Sequence, residues 1–313
     1  MELTTRLAII GAIEYGLVAG CLCVWVAIIK RWRRGEPLVP MLPRRDVPWR
    51  FADLAFAAFT VCALALIFQQ LASLLLGREL SPTAATTDTS VASAMVAVTA
   101  AAGLLGAAIS IAWLRMTRGA TWADLGLARE TDSQDVRLGL LAFLAVAPPV
   151  YLLQWLVARF FEEEHFIIET LRRYPDATIF LLVSALVTAF SAPLYEEFFA
   201  RVLLQGWLEG VKTRRWLPPA PAEADTMANA VHGSSDAMAR VYVPPARWLA
   251  IFTSATLFAI IHPASSRISL FVLACALGYL YQRTHRILPS LVVHALLNGL
   301  SMFLLWLAPE AVS

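Results

Sequence analysis

The chain has 313 residues, 59% of them hydrophobic and only 15% charged, against about 25% charged in soluble domains. That composition excludes an ordinary soluble domain and describes a protein that crosses a membrane several times. The formal net charge of +2 is too small to hold a nucleic acid by charge, so no nucleic-acid partner is expected.

A spanning helix needs about 20 apolar residues, and by that measure the sequence predicts eight spans. The first, about Leu7–Ile29, is too long for a secretory leader and is read as a retained span. Lys30-Arg-Trp-Arg-Arg34 ends it, and a Pro-rich basic linker leads to the second, Phe51–Leu76. Residues 77–90 are a polar loop, and Val91–Leu114 is the third span. Residues 115–137 are polar and mixed in charge, with room for a surface helix. The fourth span, about Leu138–Val157, contains Pro148-Pro149, which predicts a kink or a break. Arg159 to Asp176 is a polar connection, and Ala177–Leu194 is the fifth apolar run, with Pro193 as a hinge at its end. Residues 211–247, with five prolines, form the clearest flexible loop. The last candidates are Trp248–Ile261, Ile268–Tyr281 and Leu288–Leu307, the first two only 14 residues long. The fold class is therefore all-α, a polytopic membrane helix bundle with some helices short or broken. Residues 1–137 form an N-terminal membrane region of about three spans plus a loop, and 138–313 a second unit that contains the 211–247 loop.

Orientation follows from the basic residues, which favour the inner face. With the N-terminus outside, the inner loops 30–50, 115–137, 211–247 and 282–287 carry 7, 4, 5 and 2 Lys/Arg, 18 in all, against six in the outer segments. The four cysteines, Cys21, Cys23, Cys62 and Cys275, lie in apolar runs and read as small buried hydrophobes rather than disulfides or metal ligands.

Charge inside an apolar helix is costly, about 2.5–3.5 kcal/mol at the bilayer centre, and marks function by default. The fifth run leads into Ser191-Ala-Pro-Leu-Tyr-Glu196-Glu197-Phe-Phe-Ala-Arg201. Glu197 and Arg201 are spaced i,i+4 with the acid first, the favourable order for an ion pair. Glu196 is rotated off that face and is left for chemistry. A carboxylate in a dry site gains basicity, which suits a general base. Of the five histidines, His165, His232 and His285 lie in polar connections and read as solvated. His262 (in Phe258-Ala-Ile-Ile-His262) and His294 (in His294-Ala-Leu-Leu-Asn298) belong to apolar helices. One intramembrane histidine would read as a helix–helix hydrogen bonder; two, with Glu-Glu on a third helix, predict a shared pocket. Glu14 and Asp53, near the first two spans, read as packing or boundary residues.

Three motifs in order, Glu196-Glu197-x-x-x-Arg201, Phe258-x-x-x-His262 and His294-x-x-x-Asn298, resemble those of the CaaX-protease and bacteriocin-processing (CPBP, or ABI) family of intramembrane proteases. The resemblance covers roughly 138–307 and leaves the first three spans without a functional reading. It implies that Glu196 activates a water with help from His262, that His294 and Asn298 donate to a tetrahedral oxyanion, and that Glu197 and Arg201, with Phe258 as a wall, support the site. The reaction implied is hydrolysis of a peptide bond in a membrane-embedded or lipidated, for example prenylated, substrate. The expected setting is the bilayer of a bacterial plasma membrane. The expectation is that no cofactor is required; if zinc is used, Glu196, His262 and His294 are the candidate ligands, although no His-Glu-x-x-His is present. The rival readings are an ion-coupled transporter, which would favour paired repeats not found here, and a catalytically silent scaffold, which the intact motifs disfavour.

Overall fold

The computed structural model describes residues 3–39, 41–42, 47–127, 132–161, 166–210 and 245–307, which are helices and turns with no strand among them. In chain order they form α1 (Leu3–Arg33), α2 (Phe51–Leu76), a short α3 (Pro82–Ala85), α4 (Thr89–Arg118), α5 (Asp132–Val157) and a short α6 (Phe166–Arg173). A 33-residue helix follows, α7 (Thr178–Gly210). Then come α8 (Pro245–Ile260), a 3-10 turn (Ala264–Ser266), α9 (Arg267–Thr284) and α10 (Leu288–Leu307). Among the described residues, seven helices are long and apolar enough to cross a membrane, and the stretch Trp248–Ile260 is a shorter apolar helix. The chain is thus a polytopic helix bundle. Of the two runs that looked short, Ile268–Tyr281 lengthens to a full span once the 3-10 turn and its flanks join it; α8 stays short.

Proline ends no helix at the two places where the sequence suggests an interruption. Pro148 and Pro149 lie inside an unbroken α5. A helical N–H at position 149 would donate to the carbonyl of Ala145, and proline cannot supply it. That carbonyl instead accepts from Trp25 Nε1 of α1 at 3.0 Å. In lipid such orphaned groups must find a protein partner, so the proline becomes a docking point for the first helix. Pro193 is not a hinge either: α7 runs through it to Gly210. The turns on either side are wide, of the π type, at Val187–Ser191 and Phe198–Gln205. Ala192 N–H reaches back five residues to Val187 O, and the widened ladder absorbs the bond that Pro193 lacks.

The polar connections hold more structure than their composition suggests. α3 and α6 cap one end of the bundle: Thr170 Oγ1 donates to Ala85 O at 3.2 Å and Tyr174 Oη to Thr87 O at 2.9 Å. Residues 119–127 form turns rather than a surface helix. At the opposite, basic end, Arg283 donates twice to Val39 O (3.0 and 2.6 Å), and Arg286 pairs with Asp132 at 3.0 Å and with Asp135. These are the ends that the distribution of basic residues assigns to the inner face. His165, His232 and residues 211–244 of the predicted loop lie outside the described residues.

Asp53 is buried at the start of α2, where it accepts from Arg50 N at 2.8 Å, from Trp113 Nε1 at 3.0 Å and from Arg118 Nε at 2.9 Å. It ties α2 to α4, while Glu14 faces outward. All four thiols are free, but only Cys21 is fully buried; Cys23 and Cys62 face out of the bundle, where lipid is as apolar a neighbour as a core. Trp25→Phe removes the donor to Ala145 O and should cost about 1–2 kcal/mol, read as a lower unfolding temperature in detergent. In a Pro149→Ala background, where position 149 can supply its own N–H, the same change should cost clearly less.

Candidate active site

α7 is the helix on which the site is built, and its wide turns decide what its neighbours do. In a wide turn the carbonyls fall out of the ordinary i→i−4 register and become acceptors for other elements. Asn298 Nδ2 of α10 donates to Thr188 O at 2.8 Å, Ser254 Oγ of α8 to Ala200 O at 2.9 Å, and Trp49 Nε1 of the α1–α2 linker to Leu203 O at 3.1 Å. Three segments far apart in sequence are thereby fixed to one helix. α4 completes the surround: a Cβ on Gly103 would lie 2.6 Å from the ring of Tyr195, so only glycine lets α4 pack beside the residue preceding Glu196.

Glu197 and Arg201 are both fully buried, with Nε 3.0 Å from Oε2. The other carboxylate oxygen, Oε1, lies 3.0 Å from His294 Nδ1. Arg201 Nη1 donates to Ser254 Oγ at 3.3 Å, and its guanidinium carbon stands 5.6 Å from the centre of the Phe258 ring. A buried charge is tolerable only when paired and hydrogen-bonded, and this set meets both conditions for Glu197. Glu196 is different. Its side chain keeps 19% of its exposure, and its Oε2 lies 3.7 Å from His294 Nε2, beyond a normal hydrogen bond. His294 thus stands between the two carboxylates, Nδ1 committed to Glu197 and Nε2 turned toward Glu196.

His262 follows the end of α8, its Nδ1 2.7 Å from Phe258 O. Its carbonyl accepts from Arg267 Nε at 2.9 Å. Burial pushes the imidazole below the ordinary histidine range, against the opposing pull of the bond to Phe258 O. The Phe258 ring links the two imidazoles, with centroids 4.7 Å from His262 and 6.0 Å from His294. Strict alternation of full spans would put Glu196 and His262 at opposite faces; instead α8 stops at Ile260, and His262 just beyond it shares the Phe258 ring with His294, which in turn faces Glu196.

The structure therefore brings Glu196, Glu197, Arg201, Phe258 and His294 together, with His262 against the same Phe258 ring and Asn298 one turn along α10. Ser254 was missed by sequence reasoning, although it precedes Phe258 by one helical turn and shares its face. Trp49 had no local signal. Among the described residues no three His, Cys, Asp or Glu side chains converge closely enough to hold a metal ion, so Glu196, His262 and His294 do not form a zinc cage in this geometry.

Comparison with known proteins is consistent with this arrangement. Residues 178–300 match the Rce1-like family, described as type II CAAX prenyl endopeptidase Rce1-like. No curated protein and no solved structure matches the chain. The matched segment begins at the first residue of α7 and contains Glu196-Glu197, Arg201, Ser254, Phe258, His262, His294 and Asn298. The segment that carries the site is thus the part of the chain that is similar to the Rce1-like, type II CAAX prenyl endopeptidase family.

Proposed function

We propose that the protein is an intramembrane endopeptidase of a bacterial plasma membrane, cutting a peptide bond in a lipidated or membrane-embedded substrate. The observation that carries this reading is the placement of Glu196, partly open and 3.7 Å from His294 Nε2, beside a second carboxylate that is fully neutralised. Glu196 takes a proton from water, and the resulting hydroxide attacks the scissile carbonyl carbon. His262, whose Nδ1 is held by Phe258 O, presents Nε2 to assist. Charge then develops on the carbonyl oxygen, where N–H donors from His294 and Asn298 stabilise it, a contribution of about 3–4 kcal/mol per donor. Collapse breaks the C–N bond, and the proton held on Glu196 passes to the leaving amine. Glu197 accepts from His294 Nδ1–H and holds the ring as an imidazolium, so that Nε2–H is left to donate; Arg201 and Ser254 fix that pair, and none of the three touches the substrate.

No step requires a metal. Zinc on Glu196, His262 and His294 is the competing mechanism, and it needs those side chains to move together.

Glu196→Gln, assayed on a lipidated or transmembrane reporter peptide, should lower cleavage by about a hundredfold or more; cleavage at the unchanged rate would overturn the mechanism. Arg201→Ala removes the guanidinium that pairs with the buried Glu197 and should destabilise the protein by about 3–5 kcal/mol, seen as a collapse of its unfolding temperature. For the metal, the checks are zinc content of the purified protein and cleavage after strong chelation. Full cleavage by metal-free protein is expected, and stoichiometric zinc with chelator-sensitive cleavage would favour the competing mechanism.

A further inference from the structure

The polar side chains of α7 do not stop at Arg201. Glu197, Arg201, Gln205 and Glu209 follow one another at four-residue spacing, with relative exposures of 0%, 0%, 0% and 3%. In a regular helix that spacing drifts by about 40° per step. The wide turn over Phe198–Gln205 removes part of the drift and keeps the stripe facing α9. α9 makes room for it: at Gly278 a Cβ would lie 2.8 Å from Gln205 Oε1 and 3.6 Å from Arg201 Nη1. Gln205 Nε2 donates to Gly278 O at 2.8 Å and to Glu209 Oε1 at 2.9 Å. One turn beyond Gly278 stands Gln282, also fully buried.

Among the described residues, several buried polar atoms of α7 and α9 have no protein partner. Arg201 Nη2, Gln205 Oε1, and both Nε2 and Oε1 of Gln282 are buried without a hydrogen bond. Leaving such a group unsatisfied costs about 1–3 kcal/mol, and four of the six such side-chain atoms among the described residues belong to Arg201, Gln205 and Gln282. Buried water is the usual partner for such atoms, typically making about three bonds to groups of this kind. The seam runs from the basic end, where α7 and α9 finish, to the Glu197–Arg201 pair, and His294 joins that pair to Glu196.

We propose that the seam between α7 and α9 is a water-binding path, with Gln282 at its basic end, Gln205 midway and Arg201 Nη2 at its inner limit. On the proteolytic reading above, it supplies the one water consumed per bond cut in a site otherwise walled by apolar helices. Its presence does not depend on that reading, because the unpartnered atoms need water whether or not a peptide is cleaved.

The test is radiolytic hydroxyl-radical footprinting of the full-length protein in lipid nanodiscs, in which bound water labels buried side chains beside it. Tyr281, 1% exposed and next to Gln282, should be labelled in the unmodified protein, and labelling should fall to background in Gln282→Leu. In the same variant kcat on the reporter peptide should fall about tenfold with KM unchanged. An unlabelled Tyr281 in the unmodified protein, or labelling unaltered by Gln282→Leu, would overturn the path. Labelling lost with kcat unchanged would overturn its role in supply. If the unmodified protein cleaves no reporter, the proteolytic reading fails by itself, and the footprint alone decides whether the seam is hydrated.

Discussion

The buried pair of Glu197 and Arg201 is the constraint on which the rest of the site depends. Two charges in a bundle interior must neutralise each other, and each must fill its remaining hydrogen-bonding positions. Glu197 does so with His294, and Arg201 with Ser254 and the face of Phe258. Those obligations draw α8 and α10 onto α7 at one level. The same obligations assign different roles to two chemically identical neighbours: Glu197 has no capacity left, while Glu196, one residue away, retains exposure and an open approach to His294 Nε2.

A second constraint is the backbone of α7 itself. Wide turns release carbonyls that lipid cannot satisfy, and Asn298, Ser254 and Trp49 take up three of them. The active-site helix is therefore held by hydrogen bonds to its irregularities rather than by apolar contact alone. Trp49 adds a role for the linker between the first two helices, and Gly103 one for α4, so the region preceding the matched segment takes part in shaping the site. Trp25 repeats the pattern on α5, where an indole satisfies the carbonyl that Pro149 leaves open. In each case a helix defect and a distant polar side chain are complementary.

Much of this protein is determined by its sequence read alone. Apolar runs of about 20 residues specify a polytopic helical bundle, because a helix satisfies its own backbone in lipid and a barrel strand would need only about 9–11 residues. The motif residues are legible too, because a charged or imidazole side chain inside such a run needs a reason to be there. The i,i+4 spacing of Glu197 and Arg201 is local information, available before any tertiary contact is known. What only the tertiary structure decided is everything that depends on partners. Proline positions alone suggest a kink or a break at Pro148-Pro149 and a hinge at Pro193, whereas the folded chain continues as helix through both and supplies Trp25 to one and wide turns to the other. Helix length alone separates Glu196 from His262, whereas the folded chain links them through the Phe258 ring and His294. His294 could be placed on a helix from its spacing, but its position between two carboxylates depends on how α10 crosses α7. A sequence records which groups will need a partner; which group answers is a property of packing.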